Sequence, residues 1–286
     1  MAGPNRAPSA GGSVSGPRDA AGAGRANPAL SASAEPYRQS RSTVRFEWGL
    51  PGAVAIGEGA GVIVVVDVLS FSTTVSVAVD AGISVYPYRF RDASAAAFAA
   101  SKGAVLAVGR REAGSSGVSL SPLSIRQAAP GGPLARAGKL VLPSPNGSAI
   151  CRALGGAVPV VAACFRNAPA VARWIRRTVG SAPIAVVAAG ERWPGDLLRP
   201  AVEDLWGAGA VIAALADAGV TGLSPEAAAA AAAFRPVLAN LRASLAECAS
   251  GRELAADGFG AEIAVAAEFG ASSAVPLLVG DAFRAG

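Results

Sequence analysis

The stretch that decides the expected fold is residues 62–82, VIVVVDVLSFSTTVSVAVDAG. It opens with an apolar run, Val62–Val66, which ends at an acid, Asp67, and a cluster of small hydroxyl residues follows. A short, uninterrupted apolar run is typical of a strand that is buried on both faces, and Thr73–Asp80 is expected to form a helix. The stretch therefore predicts a strand, a polar turn and a helix, with Asp67 at the carboxyl end of the strand.

Outward from this stretch, short apolar runs continue to alternate with helical segments. Further strands are expected at Ile83–Tyr88, Val105–Val108, Leu140–Leu142, Val158–Ala162, Ile184–Ala188 and Val275–Val279. Further helices are expected at Ala93–Ser101, Ser148–Leu154, Ala168–Val179, Pro200–Ala218, Pro225–Glu247 and Gly260–Phe269. This alternation predicts a three-layer α/β/α fold with a mostly parallel or mixed sheet, built as one unit or as two α/β subdomains. Residues 44–286 are assigned to this domain, and residues 1–43, rich in Gly, Ala, Ser, Pro and Arg, to a disordered N-terminal tail.

Composition narrows the chemistry that the chain can perform. It contains no histidine, which excludes Ser-His-Asp and Cys-His hydrolases and zinc sites that use histidine. A metal ion would therefore be held mainly by oxygen ligands, which favours magnesium or calcium. The three cysteines are odd in number and widely spaced, a pattern that predicts reduced thiols in a cytoplasmic protein.

Charge and hydropathy also limit the expected partners. The net charge of +5 arises from dispersed basic residues, several of them in or near the N-terminal tail, without a basic stripe or aromatic stacking residues. We therefore expect no nucleic-acid partner, although a nucleic-acid binder that uses the basic tail is a weaker alternative. No apolar run reaches the roughly 18–20 residues that span a bilayer, so no membrane partner is expected.

Polar sequences follow the predicted strands, where ligands gather in sheets of this type. Asp67 has a structural interpretation as a helix cap or an arginine partner, but it is too far from a helix that begins near Thr73, and Ser70 or Ser72 is a better cap. Its functional interpretation is a metal ligand or general base. The helix N-terminus beside it, with three hydroxyl groups, would then bind phosphate or sulfonate.

Three later segments offer similar pairs of interpretations. PSPNGSA, 143–149, is a strand-to-helix turn or an anion cradle made of Asn146, Gly147 and Ser148. CFRNA, 164–168, places Arg166 and Asn167 at a helix start, where Asn167 is a good N-cap. GERWPGD, 190–196, precedes a helix with acidic residues in its first turn. These acids either interact favourably with the helix dipole or hold a magnesium ion together with Asp67. The candidates from this last segment are Glu191, Arg192, Arg199, Glu203 and Asp204.

Several phosphate-handling motifs are absent. No GxxxxGK[ST] loop occurs, and Leu69 stands where a haloacid dehalogenase-type phosphatase needs a second aspartate. Cys164 lacks the arginine six positions later that a tyrosine phosphatase nucleophile requires, because Ala170 stands there.

Taken in order, the motifs resemble the 2-phosphosulfolactate phosphatase family of coenzyme M biosynthesis over roughly residues 44–283. The matching segments are VVVDVLSFSTTVSVAVDAG, LSPLSI, LVLPSPNGSAIC, CFRNAPAVA, VVAAGERW with VEDLWGAGAVI, GRELAADGF and VPLLVGDAF. The resemblance implies an α/β fold particular to that family and a magnesium-dependent phosphatase that acts on 2-phospho-3-sulfolactate. The positions that match the family's motifs are Asp67, Thr73, Thr74, Asn146, Gly147, Asn167, Glu203 and Asp204.

Two departures from the family pattern stand out. Ser70 occupies the position directly after DVL, where the family usually has an arginine that would suit a phosphate or sulfonate. Arg166 or Arg192 is the expected replacement. The segment GRREAGSSGVSLSPLSI carries less charge than the family's usual Gly-Glu-Arg-Gly segment, although Arg110, Arg111 and Glu112 remain.

Together, the residues and the resemblance predict a magnesium-dependent phosphatase for a small anionic phosphoester. Asp67 and Glu203 are the expected catalytic residues, and Asp67, Glu203 and Asp204 the expected Mg²⁺ ligands. The expected substrate-binding residues are Ser72, Thr73, Thr74, Asn146, Gly147, Ser148, Arg166, Asn167 and Arg192. The alternative is a noncatalytic or repurposed small-anion-binding protein on the same scaffold, which Ser70 favours. A homo-oligomer is left open.

Overall fold

The computed structural model describes residues 1, 3, 32–90, 92–114, 117–154, 156 and 158–286. The strands are β1 Val44–Trp48, β2 Val62–Val66, β3 Ser84–Tyr88, β4 Val105–Leu106, β5 Lys139–Pro143, β6 Val160–Ala163, β7 Ile184–Ala188, β8 Glu191–Arg192, β9 Leu198–Arg199, β10 Pro276–Val279 and β11 Ala282–Ala285. The helices are α1 Gly49–Gly57, α2 Phe71–Asp80, α3 Ala93–Lys102, α4 Arg110–Ala113, α5 Pro122–Ala128, α6 Pro133–Ala137, α7 Gly147–Leu154, α8 Ala168–Thr178, α9 Val202–Asp217, α10 Pro225–Phe234, α11 Leu241–Glu247, α12 Ala249–Ala256 and α13 Glu262–Ala266. Short 3₁₀ helices span Ala32–Arg38 and Leu238–Asn240.

Most of the expected tail, residues 1–43, lies outside the described residues. Its described end includes the 3₁₀ helix Ala32–Arg38, and Gln39 then binds β1 with both ends of its amide. Gln39 Nε2 donates to the carbonyl oxygen of Phe46 at 2.8 Å, and the Phe46 N–H donates to Gln39 Oε1 at 3.0 Å. The chain just before β1 is therefore attached to the domain by this amide, while the division into tail and domain stays a prediction.

In the described part of the chain, nine strands form one mixed sheet in the order β1-β7-β2-β6-β10-β11-β3-β5-β4, and β8 and β9 pair separately. The first four strands are mutually parallel, as are β3, β5 and β4. The hairpin β10–β11 lies between these two groups and pairs antiparallel with β6 on one side and β3 on the other. Three successive antiparallel pairings reverse the strand direction, so β5 runs opposite to β2.

Both faces of the sheet are covered, which confirms the predicted three-layer α/β/α fold. Along β2, Val62, Val64 and Val66 belong to one hydrophobic cluster, which includes residues of α8, α9 and α10. Ile63 and Val65 belong to the other cluster, which includes residues of α1, α2 and α7. Burial of each such side chain contributes about 1.5–3 kcal/mol, so burial on both faces explains why this strand is apolar throughout.

Some predicted elements differ from the structure. The segment Pro225–Glu247 was expected to be one helix, but α10 ends at Phe234, and a 3₁₀ turn and α11 follow. Pro236 explains the break, because it has no N–H to continue the helical hydrogen bonds. The expected strand Val105–Val108 is shorter, since β4 ends at Leu106 and Val108 makes only an isolated bridge to Ser119.

β1 was missed because it contains charged residues that are not on the surface. Arg45 is only 5% exposed, and its guanidinium donates to the carbonyl oxygens of Ile56 and Glu58 at the end of α1. Hydrogen bonding to these otherwise unpaired helix carbonyls compensates for burying the charge. Within the described residues, no helix is both long enough and apolar enough to cross a membrane.

Candidate active site

A cavity of about 530 Å³ opens beside the carboxyl end of β2. Its walls come from the turn after β2, the turn after β5, α4, the first residue of β8 and the region of α12. The charged and amide side chains among the lining residues are Asp67, Arg110, Arg111, Glu112, Asn146, Glu191, Glu253 and Asp257. The cavity therefore brings together segments that are far apart in sequence and offers both acidic and basic groups to a ligand.

Asp67 connects the two turns. Its Oδ1 accepts a hydrogen bond from the Phe71 N–H at 3.1 Å, and its Oδ2 accepts one from the Gly147 N–H at 2.9 Å. The expectation that Asp67 lies too far from its helix to cap it is wrong, because α2 begins at Phe71 rather than near Thr73. The Ser70 side chain, in contrast, makes no cap hydrogen bond. Asp67 thus receives the first N–H group of each of two helices.

Burial controls the charge of Asp67. The residue is 6% exposed, and desolvation raises the pKa of its carboxyl group to about 6, although its two backbone hydrogen bonds oppose that change. The neighbouring charge of Glu203 raises this pKa further, and Arg110 lowers it. Asp67 is therefore mainly ionised at neutral pH and can still take up a proton just below it.

Gly147 is required where the two turns meet. A Cβ atom at this position would lie 2.4 Å from Phe71 Cδ1 and 2.8 Å from Asp67 Oδ2. Both separations are far below van der Waals contact. Only glycine therefore lets the N-terminus of α7 approach Asp67 closely enough to donate its N–H group.

The acidic pair at the start of α9 divides into two roles. Asp204 is 3% exposed, and its oxygens accept hydrogen bonds from the Val68 N–H at 2.7 Å and the Gly190 N–H at 2.9 Å. Its carboxylate therefore ties the loop after β2 to the loop after β7. Desolvation, with the charge of Asp67 next, raises the pKa of Asp204 well above its usual value. Glu203 is 2% exposed, and its charge raises the pKa of both Asp67 and Glu191, so it lies near them.

Glu191, which the sequence presented as one of several candidates near the start of α9, has a central position in the structure. It lines the cavity and accepts a hydrogen bond at Oε2 from Asn146 Nδ2 at 2.9 Å. Desolvation, followed by the charges of Asp67 and Glu203, raises the pKa of Glu191 to about 7. Arg192 donates to Asn146 Oδ1 at 3.0 Å and pairs with Asp196 near the surface. Glu191 can therefore exchange a proton near neutral pH.

The predicted hydroxyl groups do not reach the cavity. Ser72, Thr73 and Ser148 are fully buried and donate to the carbonyl oxygens of residues 65, 68 and 142, respectively. Thr74 is also fully buried, and its hydroxyl lies 3.5 Å from the carbonyl oxygen of residue 120. Within the described part of the chain, Asn146 is the one predicted substrate-binding side chain that lines the cavity.

Arg166 and Asn167 lie in a separate buried polar cluster. Arg166 is 4% exposed and forms ion pairs with Asp80 and Glu268. Asn167 is fully buried; its Oδ1 accepts the Cys164 N–H at 2.9 Å, and its Nδ2 donates to the carbonyl oxygen of residue 162 at 3.1 Å. These contacts assign both side chains to fixing the start of α8 rather than to the cavity.

Arg110 is the site residue that the sequence-based candidates omitted. Its Nη2 donates to Ser70 Oγ at 2.6 Å, and its Nε and Nη2 donate to the two carboxylate oxygens of Glu262 at 2.8 and 2.7 Å. Arg110 lines the cavity, whereas Arg166, proposed to replace the missing arginine at position 70, does not. The only sequence signal was the unusual GRREAG segment, since Glu262 lies 152 residues away.

The nearby carboxylates define where a metal ion could bind. Asp67, Glu191 and Glu203 supply oxygen donors alone, which suits a hard cation such as Mg²⁺. Of these described carboxylates, Asp67 and Glu191 line the cavity, whereas Glu203 does not, and neither does Asp204. Both oxygens of Asp67 and both oxygens of Asp204 also accept backbone hydrogen bonds. Across the described residues, no group of three or more His, Cys, Asp or Glu side chains is arranged to hold a metal ion.

Comparisons with known proteins identify the family of the chain. A family model described as 2-phosphosulpholactate phosphatase matches residues 52–281, a range that includes every cavity-lining residue. No curated protein matches the chain at a significant level. Because the family model covers most of the sequence, the chain belongs to the 2-phosphosulpholactate phosphatase family and is a phosphoric monoester hydrolase.

Proposed function

We propose that this chain hydrolyses 2-phospho-3-sulfolactate to sulfolactate and phosphate in a magnesium-dependent reaction. The observation that carries the proposal is the buried carboxylate of Asp67 in the wall of the cavity, in a chain of this family. Its pKa of about 6 leaves it ionised at neutral pH. The family's role in coenzyme M biosynthesis and the three buried, free cysteines support a cytoplasmic enzyme of that pathway.

Asp67 and Glu203 are the residues proposed to hold Mg²⁺. Desolvation is the main cause of the raised pKa of Asp67 and of Glu191, and repulsion between neighbouring carboxylates adds to it; a divalent cation would relieve that repulsion. Proteins often bind Mg²⁺ through one or two carboxylates together with substrate phosphate, so a preformed cage of three acids is not needed. When bound, the ion would polarise a phosphoryl oxygen and neutralise charge that develops on it.

The remaining residues orient the reacting groups. Glu191 is fixed by the amide of Asn146 and faces the cavity, and we propose that it exchanges a proton with the attacking water. Asn146 uses its Nδ2 and Oδ1 in bonds to Glu191 and Arg192, which sets its orientation at the cavity wall. Asp204 accepts hydrogen bonds from the Val68 and Gly190 N–H groups and so joins the two loops that carry Asp67 and Glu191.

The decisive experiment compares Asp67→Asn with Asp204→Asn. Each substitution replaces one carboxylate oxygen with an amide nitrogen, which then faces a buried backbone N–H donor, so both variants are expected to lose stability. Only Asp67 lines the cavity. We therefore expect Asp67→Asn to lower kcat by about 10²- to 10⁴-fold, and Asp204→Asn to lower it far less.

Phosphate release from 2-phospho-3-sulfolactate is the assay, run with Mg²⁺ and with EDTA, and thermal melts record the stability of each variant. The wild type should release phosphate with Mg²⁺ and stop with EDTA. Equal loss of activity in the two variants at equal stability would show that Asp67 has only a structural role. The absence of phosphate release from the wild type would refute the proposed substrate.

The noncatalytic alternative is not proposed further. It rested on Ser70, which replaces an arginine that suits a substrate anion. In the structure, the Arg110 guanidinium lies against the Ser70 hydroxyl at 2.6 Å, so a cation is present at this part of the cavity. No described feature favours a binding protein over a phosphatase.

A further inference from the structure

We propose that Arg110, positioned by Glu262, recognises the substrate's nonreacting anionic end, a sulfonate or carboxylate, while hydrolysis takes place beside Asp67. Arg110 is thus assigned to substrate specificity rather than to phosphoryl transfer. The inference rests on the proposed function for the identity of the substrate. The arrangement of Arg110 itself comes from contacts that do not depend on that identity.

The guanidinium of Arg110 is held rigidly. Both carboxylate oxygens of Glu262 accept from its Nε and Nη2, and Ser70 Oγ accepts from Nη2. Glu262 is buried, and the Arg110 guanidinium also lies 5.8 Å from the centre of the Phe259 ring. A guanidinium fixed in this way loses little further conformational freedom when it binds a ligand.

One edge of the guanidinium remains available. Arginine has five N–H donors, and the contacts with Glu262 and Ser70 use those of Nε and Nη2. Within the described part of the chain, Nη1 makes no hydrogen bond, and Arg110 lines the cavity. Nη1 can therefore donate to an oxyanion. Arg111 differs from Arg110, because it is mostly exposed and paired with Asp257.

The charge balance indicates which part of the substrate Arg110 binds. Its positive charge is paired with buried Glu262, so the pair is nearly neutral and stabilises an anion through directed hydrogen bonds more than through net charge. Charge that develops on a transferring phosphoryl group needs a stronger neutralising group, such as a metal ion or an unpaired cation. These facts favour recognition of a second anion over stabilisation of the transition state.

Arg110→Gln tests the inference through the separation of KM from kcat. For 2-phospho-3-sulfolactate, we expect KM to rise about 10- to 100-fold, the loss that follows removal of a hydrogen bond to a charged group, with kcat changed only a little. Phenyl phosphate lacks a second anionic group, so its KM should not change. 2-Phospholactate keeps the carboxylate but lacks the sulfonate. A raised KM for 2-phospholactate in Arg110→Gln would show that Arg110 binds the carboxylate, and an unchanged KM would show that it binds the sulfonate.

A rescue variant separates recognition from structure. Ser70 borders the cavity and touches the Arg110 guanidinium, so an arginine at position 70 could present its own guanidinium near the same place and pair with Glu262. We therefore expect Ser70→Arg to lower the raised KM of the Arg110→Gln protein. Arg235→Gln removes a surface arginine paired with Asp217 and is the matched control, with wild-type KM expected.

Two outcomes would overturn the inference. One is an equal fall in kcat for all three phosphoesters in Arg110→Gln, because Arg110 would then act on the phosphoryl group. The other is an unchanged KM for 2-phospho-3-sulfolactate. Calorimetric binding of sulfolactate gives an independent test, since it needs no turnover: weaker binding to Arg110→Gln than to the wild type supports the inference even if the proposed phosphatase activity fails.

Discussion

The contact between Gly147 and Asp67 yields a sharp prediction, because one added methyl group should disturb both the core and the cavity. In Gly147→Ala, the new Cβ would lie 2.4 Å from Phe71 Cδ1, 2.8 Å from Asp67 Oδ2 and 3.0 Å from Phe71 Cγ. Phe71 is 4% exposed and packs edge to face against Phe283, which is fully buried. The ring therefore has little room to move away, and α7 must shift instead.

The size of the effect follows from these distances. Relief of a contact at 2.4 Å requires a movement of about 1 Å, and overpacking of this kind in a core costs about 1–3 kcal/mol. At about 2–4 °C for each kcal/mol in a protein of this size, the melting temperature should fall by about 2–12 °C. The same shift weakens the bond from the Gly147 N–H to Asp67 Oδ2, and a displacement of 1 Å near reacting groups can lower kcat by about 10²-fold.

Thermal unfolding and phosphate release on the purified variant test both expectations. Gly109→Ala is the matched control for stability, because its φ of −58° suits alanine and the nearest side-chain atom to the new Cβ would be 3.8 Å away. That control adds a methyl group without a steric clash, so its melting temperature should fall less than that of Gly147→Ala, although glycine is preferred to alanine at an N-cap. A Gly147→Ala protein with wild-type stability and activity would refute the account of how Asp67 is held.

Two further predictions concern charge. Arg166→Gln should lower the free energy of unfolding by about 1.5–3 kcal/mol in urea titrations, because it removes the charged hydrogen bonds to Asp80 and Glu268, which are both partly exposed, while Glu268 keeps its ion pair with Arg126. The substitution should leave KM unchanged, and a raised KM would restore Arg166 as a substrate-binding residue. Burial raises the pKa of Asp67 to about 6 and of Glu191 to about 7, above their values in the unfolded chain, so these groups bind protons more tightly in the folded protein. Their contribution to metal-free stability is therefore greatest below about pH 4 and falls as the pH rises to about 7, and Mg²⁺ should raise the melting temperature more at pH 8 than at pH 5. A Mg²⁺-induced shift independent of pH would contradict the proposed carboxylate ligands.

The sequence predicted what depends on local pattern. The apolar run Val62–Val66 identified a strand buried on both faces, and the acid that ends it identified one wall of the cavity. The sequence could not predict that the hairpin β10–β11 lies between the two parallel groups of strands. The hairpin pairs with each group through one residue pair, Leu277↔Val161 with β6 and Phe283↔Val85 with β3. Pairings over such separations leave no periodic signal along the chain.

The same limit applies to the candidate site. Asp67 and Asn146 were named because each follows a strand, and both line the cavity. The expectation that residues after parallel strands meet at one edge of the sheet holds for β2 and β7. It does not hold for β5, because β5 runs opposite to β2 in the sheet. The turn after β5 still reaches Asp67, because the Gly147 N–H donates to Asp67 Oδ2. Arg110 escaped notice because its partner Glu262 lies on α13, far along the chain.

The hydroxyl groups after β2 form hydrogen bonds with the backbone of the turn that carries Asp67. A chain that leaves a buried strand and enters a buried helix exposes carbonyl groups to an apolar interior, and an unpaired buried carbonyl costs about 1–3 kcal/mol. Ser72 and Thr73 donate to the carbonyl oxygens of Val65 and Val68, and Ser72 also accepts the Asp67 N–H. Because these short side chains satisfy the turn from within, the Asp67 carboxylate is free to hold α2 and α7 and to face the cavity. Polar side chains beside a buried acid can therefore stabilise the backbone that positions the acid, without contacting the ligand themselves.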